Sequence, residues 1–340
     1  VSLLRAKKLT YLAAGALVAL GSAAVPAAAS ADLNGSGSTL VAPLEAEWAS
    51  TWSAGSTVKV NYNAVGSGQG IKDIISRLTD FGGSDAPLTP SQRSQCGNCV
   101  MIPWALGSTA VGYNLGGVRK LKLTGAELAG IYLGQITRWN DPRIAATNRG
   151  TGLPNEAITP VFRSDGSGDT YAFTDFLSRV SSAFRGRVGT ATTVGFPTGV
   201  SGKGNSGVTS VLQSTPGSIA YIASSYLIAR RLPAVAVGNA AGKFVYPNLS
   251  NIENAARSVT RVPASGELHI VNPSRRNKNA YPIATFTYVI AHTDNAQGGP
   301  LRSFINYALG SGQQFGPGLD FAPLPSAVKR AARAAVNSIH

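Results

Sequence analysis

The chain has 340 residues, with 30 Lys and Arg against 16 Asp and Glu and a formal net charge of +14. That length is enough for two domains with proper cores. The excess of base suits an anionic partner, but the basic residues are scattered apart from short clusters such as Arg230-Arg231, Arg275-Arg276 and Lys329-Arg330. With no Arg-rich arm, zinc finger or aromatic RNP pattern, nucleic-acid binding is disfavoured.

The first segment reads as a targeting sequence. Arg5, Lys7 and Lys8 form a basic start, Leu9 to Ala24 is apolar but short for a bilayer, and Ala29-Ser30-Ala31 is a small-residue cleavage site. Residues 1–31 are therefore expected to be a signal peptide cleaved after Ala31. No cysteine lies near the junction to carry a lipid, so the mature chain is expected to be exported, periplasmic or secreted, without a lipid anchor.

From there short β-type runs alternate with amphipathic helices, the signature of an α/β protein. Val58 to Tyr62 alternates as a strand, and Ile71 to Leu78 has helical spacing. Asp80 to Ser84 reads as a strand ending at Asp85, and Thr109 to Asn114 as a buried strand. Thr124-Gly-Ala-Glu127 is a capping box opening a helix that stops at Gly134. Ile158 to Phe162 is a strand leading to Arg163, followed by a helix over Tyr171 to Val180. Gly195 to Gly207 reads as a long loop. Thr285 to His292 is a β run, and Pro300 to Leu309 and Ala327 to Ile339 are helices.

Three Gly/Ser-rich turns stand out, each before a helical segment: Gly35-Ser36-Gly37-Ser38-Thr39, Gly66-Ser67-Gly68-Gln69-Gly70 and Asp165-Gly166-Ser167-Gly168-Asp169. A helix start presents unpaired N–H groups and the positive end of the dipole. Glycine admits close approach, and serine or threonine adds a hydroxyl. Singly such turns are ordinary caps; three facing one point, with Arg163 beside the third, make a cage for a small anion.

Other motifs are weaker. Gly202-Lys-Gly-Asn-Ser-Gly207 fits G-x-G-x-x-G, but no strand is expected before it and no acidic residue follows at the right distance. Cys96 and Cys99 are either a redox pair or a local disulfide; their polar surroundings favour a structural staple. Zinc would need two more ligands, and His269, His292 and His340 are isolated in the sequence. Walker A, G-x-S-x-G and H-E-x-x-H motifs are absent, the carboxylates form no recognisable catalytic pair, and no cofactor is indicated. An enzyme is not expected.

Taken in order, a set of segments resembles the PstS family, the phosphate-binding proteins of phosphate ABC transporters. They are Gly35 to Pro43, Val60-Asn-Tyr-Asn-Ala-Val-Gly-Ser67, Asp80-Phe-Gly-Gly-Ser-Asp-Ala-Pro-Leu88, Ile131-Tyr-Leu-Gly-Gln-Ile-Thr-Arg-Trp-Asn140, Phe162-Arg-Ser-Asp-Gly-Ser-Gly168, Gly202 to Gly207, Pro216-Gly-Ser-Ile-Ala-Tyr221 and Leu324 to Ala335. The resemblance implies a two-lobed α/β clamp of the periplasmic-binding-protein (Venus-flytrap, type II) kind with two hinge crossings, near Gly112 to Asn114 and Thr285 to Tyr288. Lobe one would be residues 32–112 plus 288–340 and lobe two residues 113–287. It implies phosphate held by Thr39, Leu40, Ser67, Asp85, Arg163, Ser167, Gly168 and the position of Asp169, with Leu40 and Gly168 acting through backbone N–H. It also implies delivery to the membrane permease subunits of an ABC transporter by a monomeric binding protein. An ionised carboxylate such as Asp85 only accepts, so it favours a ligand that carries a proton. That counts against sulfate and molybdate, the competing oxyanions; an exported phosphatase would need a metal or activated nucleophile. Many relatives have threonine where this chain has Asp169, which either accepts a second ligand proton or caps its own helix.

Overall fold

The computed structural model describes residues 32–340; the segment expected to be a signal peptide lies outside the described residues. The strands are β1 (Leu33–Gly37), β2 (Val60–Asn63), β3 (Phe81–Ser84), β4 (Cys99–Asn114), β5 (Lys122–Leu123), β6 (Thr159–Arg163), β7 (Val200–Gly202), β8 (Ser218–Ala223), β9 (Ala236–Gly238), β10 (Phe244–Val245) and β11 (Ala284–His292). Eight of them form one sheet in the order β2-β1-β3-β11-β4-β8-β6-β7, and β10-β9-β5 form a small second sheet. The fold is mixed α/β with two domains.

The long strand β4 joins the two halves of the large sheet. Its first part pairs antiparallel with β11, from His292↔Cys99 to Ala284↔Ser108. Its second part pairs antiparallel with β8, from Thr109↔Ala223 to Asn114↔Ser218. At one end of the sheet β1 lies parallel to β2 and β3; at the other β6 lies parallel to β7 and β8. Parallel strands need crossovers, and helices between them supply the cover on the faces.

The hydrophobic cores follow the same division. Trp48, Phe81, Trp104, Leu106, Phe286 and Phe304 belong to one core. Val111, Tyr113, Tyr132, Trp139, Phe173 and Tyr221 belong to another, and Ala110, Val161, Val208, Leu212 and Ile222 to a smaller third. Along β4 the change of core falls between Leu106 and Ala110; at the start of β11 it falls between Ile283 and Ala284. Ile252, Ala255, Ala256, Ile270 and Ala280 lie in the first core, although the resemblance puts their stretch in lobe two. The buried indoles keep their N–H groups bonded: Trp48 to the Gly312 carbonyl at 2.8 Å and Trp104 to Thr287 Oγ1 at 2.7 Å. An aromatic ring thus contributes its area without stranding a donor.

Local chemistry explains most boundaries. The Thr124/Glu127 capping box forms, with both reciprocal bonds, at the start of the helix Gly125–Tyr132. Three expectations change. The first glycine-rich stretch is not a turn: Gly35, Ser36 and Gly37 are part of β1, and the turn begins at Thr39. Its glycines serve packing, because a Cβ on Gly70 of the helix Ser67–Ile75 would overlap the Gly37 backbone. Gly195 to Gly207 is not one long loop. It contains β7, which leads directly into the helix Gly204–Ser214, an edge strand too short to show a period in sequence. Third, His292 is not isolated. Cys96 and Cys99 form a disulfide with Cα atoms 5.5 Å apart, and His292 Nδ1 lies 3.6 Å from Cys99 Sγ. Among the described residues no helix is long and apolar enough to cross a membrane.

Candidate functional site

Two sets of parallel strand ends face each other across the sheet. The register Gly37↔Gly83 aligns the ends of β1 and β3, so Ser38 and Asp85 emerge side by side. Ser67 opens the helix that follows β2. On the other side, Arg163↔Gly202 aligns β6 with β7. Helices begin just beyond both, at Gly168 and Gly204. Carboxyl ends of strands are where open α/β sheets gather ligands.

On the first side everything turns on Asp85, which is 2% exposed. Ser38 Oγ donates to its two oxygens at 2.6 and 2.7 Å, and Ser67 Oγ lies 3.2 Å from Oδ2. Ser38 Oγ also accepts the Leu40 N–H at 3.0 Å, and Ser67 Oγ accepts the Gly168 N–H at 3.1 Å. A Cβ on Gly168 would collide with the Asp85 side chain, so glycine is what lets the two sides meet here. Burial, helped by the charge of Asp169, pushes the Asp85 carboxyl up to about 7; the Ser38 and Ser67 bonds and Arg163 act the other way.

The second side is built on ion pairs. Arg163 is buried, and its Nε donates to Asp165 Oδ1 at 2.8 Å while Nη2 reaches Asp165 Oδ2. Its Nη1 reaches Asp169 Oδ2 at 3.2 Å. Burial works against the arginine's charge, but Asp165 and Asp169 outweigh it and hold the guanidinium charged. Burial would also raise Asp165, yet the Arg163 bonds and charge keep its carboxyl below the usual range. Asp169, 1% exposed, also accepts Thr109 Oγ1 at 2.7 Å and Asn205 Nδ2 at 2.8 Å. Burial still wins there and raises it.

The expected site residues divide as follows. Thr39, Leu40, Ser67, Asp85, Arg163, Gly168 and Asp169 come together in two hydrogen-bonded networks, one around Asp85 and one around Asp169, which adjoin at the chain neighbours Ser38-Thr39 and Gly168-Asp169. Ser167 is buried beside them, but its hydroxyl accepts the Thr170 N–H as the helix N-cap. Asp169 therefore does not cap its helix; its carboxylate faces inward. Three members were not identified from sequence. Ser38 and Asn205 lay inside quoted motifs, where any hydroxyl or amide was a candidate. Thr109 gave no signal beyond its place on a strand. Nor did sequence pair Asp85 with Asp169, because chain distance hides a contact made by topology.

Chemically, the cluster can grip an oxyanion. Arg163 has five N–H donors, of which Asp165 takes two and Asp169 one, leaving one N–H on each of Nη1 and Nη2. The hydroxyls of Ser38 and Ser67 bond Asp85 and accept the Leu40 and Gly168 N–H groups, and the Thr39 hydroxyl is joined to Asp169 through Asn205. Most of these donors are already paired, so an anion gains bonds by exchange. A cavity of about 250 Å³ lined by Thr39, Asp165, Lys203, Gly204, Asn205 and Tyr226 lies at its margin.

Comparison with known proteins gives concordant results. The family described as PBP superfamily domain matches residues 22–311. The phosphate-binding protein PstS of Xylella fastidiosa is 36% identical over 301 residues, 87% of this chain and 82% of that protein. That of Haemophilus influenzae is 34% identical over 309 residues, 89% of this chain and 92% of that protein. Among solved structures, the high-affinity periplasmic phosphate-binding protein PfluDING, bound with phosphate, superposes with a TM-score of 0.71 at 25% identity, covering 89% of this chain and 93% of that one. A phosphate-binding protein from Stenotrophomonas maltophilia shares the fold, with a TM-score of 0.71 at 21% identity over 89% of this chain and 93% of its own.

Proposed function

This chain belongs to the PstS family within the PBP superfamily, and from that premise we propose that it captures inorganic phosphate between its two lobes and delivers it to an ABC permease. The observation that carries the reading is the pairing of a donor cluster with two buried carboxyls, Asp85 and Asp169, which accept hydrogen bonds from their neighbours. Donors alone would serve any tetrahedral oxyanion. Acceptors beside them reward one that carries a proton and repel one that does not. Sulfate and molybdate fail that condition.

In this reading Thr39, Leu40, Ser67, Arg163, Ser167 and Gly168 donate to the ligand, and Asp85 and Asp169 accept. The protein performs no chemical step. It works outside the cytoplasm as a monomer, after loss of residues 1–31. The lobes are residues 32–112 plus 288–340 and residues 113–287, with the stretch around Ile252 to Ala280 lending side chains to the first core. β4 and β11 carry the hinge.

Calorimetric titration of the purified protein with phosphate, sulfate and molybdate tests this. Phosphate is expected to bind at least a hundredfold more tightly than the other two, a difference of about 2.7 kcal/mol. Equal affinity for sulfate would reject the role given to the carboxyls. Incubation of the same protein with phosphate esters is expected to release no phosphate.

A further inference from the structure

We propose that Asn205 is a positioning residue: it fixes the direction of the Thr39 hydroxyl and does so only when the two sides of the cleft meet. The inference rests on the phosphate reading above.

Asn205 is fully buried in the first turn of the helix Gly204–Ser214. Its amide orientation is set by three partners: Oδ1 accepts the Ala223 N–H at 2.9 Å, while Nδ2 donates to Asp169 Oδ2 at 2.8 Å and to Thr39 Oγ1 at 2.9 Å. The backbone N–H of Asn205 adds a second bond to the same Thr39 oxygen at 3.3 Å. A hydroxyl has two acceptor lone pairs and one hydrogen. With both lone pairs filled from Asn205, the hydrogen of Thr39 must point away, and Thr39 becomes a donor only. A free threonine hydroxyl rotates and either donates or accepts; this one is committed to an acceptor, which an oxyanion supplies.

The bond also reports closure. Thr39 follows β1 and Asn205 follows β7, at opposite parts of the large sheet. Tyr226 braces the same contact, donating to the Thr39 carbonyl at 3.1 Å. Separating the two sides would release the Thr39 hydroxyl from both Asn205 donors. Ligand grip and closure are then one event, and the effect of Asn205 lies in release of the ligand more than in its capture.

The test is a double-mutant cycle read by calorimetry and stopped-flow with inorganic phosphate, using wild type, Asn205→Ala, Thr39→Val and the double variant. Each single change is expected to weaken binding about ten- to a hundredfold. The double variant is expected to bind at least about tenfold more tightly than the product of the two losses, because the second change removes a bond already gone. Asn205→Ala is expected to raise the dissociation rate and leave the association rate within about threefold. Asn205→Asp keeps the oxygen that Ala223 uses, and so serves if the alanine variant does not fold. There the Thr39 hydrogen turns to the new carboxylate, and affinity is expected to fall further than with alanine. Multiplying losses in the cycle, or wild-type affinity in Asn205→Asp, would overturn the proposal while phosphate binding by the wild type stands. A wild type that binds no phosphate would overturn both.

Discussion

The two sides of the cleft use the same residue type to opposite ends. Asp85 sits among the neutral hydroxyls of Ser38 and Ser67, and burial drives its carboxyl up to about 7. Asp165 lies beside a guanidinium, and although burial opposes it, Arg163 holds it down as an ion. Asp169 stands between, touching Arg163 yet so enclosed that burial still raises it. A hydroxyl steadies a carboxylate by one hydrogen bond; a full positive charge in a low-dielectric site does so by more. One side of the cleft is thus able to gain and lose a proton near neutrality, and the other is a fixed electrostatic frame.

The most severe way to break this contrast is to remove the frame. Arg163→Ala leaves Asp165 and Asp169 without their cation. Phosphate binding is expected to weaken by about 2–5 kcal/mol, the range for truncating a buried charged partner. Calorimetry checks it, and near-native affinity would place the anion elsewhere.

A second experiment asks which carboxyl follows the ligand's proton. Affinity is expected to fall as pH rises through about 7, as the single proton shared between phosphate and Asp85 is lost and the two become like charges in contact. Each proton linked to binding is worth about tenfold per pH unit, or about 1.4 kcal/mol. In Asp169→Thr the fall above neutrality is expected to be shallower, since the acceptor and its like charge are both gone. Isotherms from mildly acidic to mildly alkaline pH decide it: parallel profiles would mean that Asp169 does not face the ligand.

Ser38→Ala sharpens the comparison on the other side. It removes a bond that lowers the Asp85 carboxyl, so the midpoint of the pH dependence is expected to move to higher pH. The folded protein is expected to lose about 1–3 kcal/mol at alkaline pH, where the ionised Asp85 has lost the Ser38 bond and keeps only that to Ser67. Urea unfolding measures the second effect, and an unmoved midpoint in the binding profile would dismiss the first.

The smallest effect concerns a carboxyl outside the cluster. Glu45, 2% exposed on the helix Ala42–Ala54, has an oxygen without a partner, and burial pushes it up to about 8. Its folded-state pKa lies above its unfolded one, so the folded protein binds the extra proton. Stability is therefore full below about 4.5 and declines as pH rises toward 8. Glu45→Gln cannot ionise. Its melting temperature is expected to pull ahead of wild type by a few degrees between pH 5 and pH 8, with phosphate affinity unchanged. A constant offset across that range would show that Glu45 does not titrate there.

The amino-acid sequence by itself determined the elements with strong local chemistry. The Thr124/Glu127 capping box formed as written, because a cap is decided by residues three apart. The alternation of short strands and helices announced an α/β protein, and the ordered segments from Gly35 to Ala335 placed it in its family. Seven residues of the expected site came together for that reason. Local reading misplaced the first glycines, whose use is to let the helix Ser67–Ile75 lie against β1, and passed over β7, which is a strand only because β6 pairs with it. What only the tertiary structure decided is how the polar groups are shared out. Asp169 faces Thr109, Arg163 and Asn205 rather than its own helix end; Ser38 rather than Thr39 holds Asp85; and Asn205 spans the cleft to reach Thr39. These are contacts between groups far apart in the chain, set by sheet register and by burial, and the strength and direction of a hydrogen bond or a charge depend on neighbours that no stretch of sequence contains.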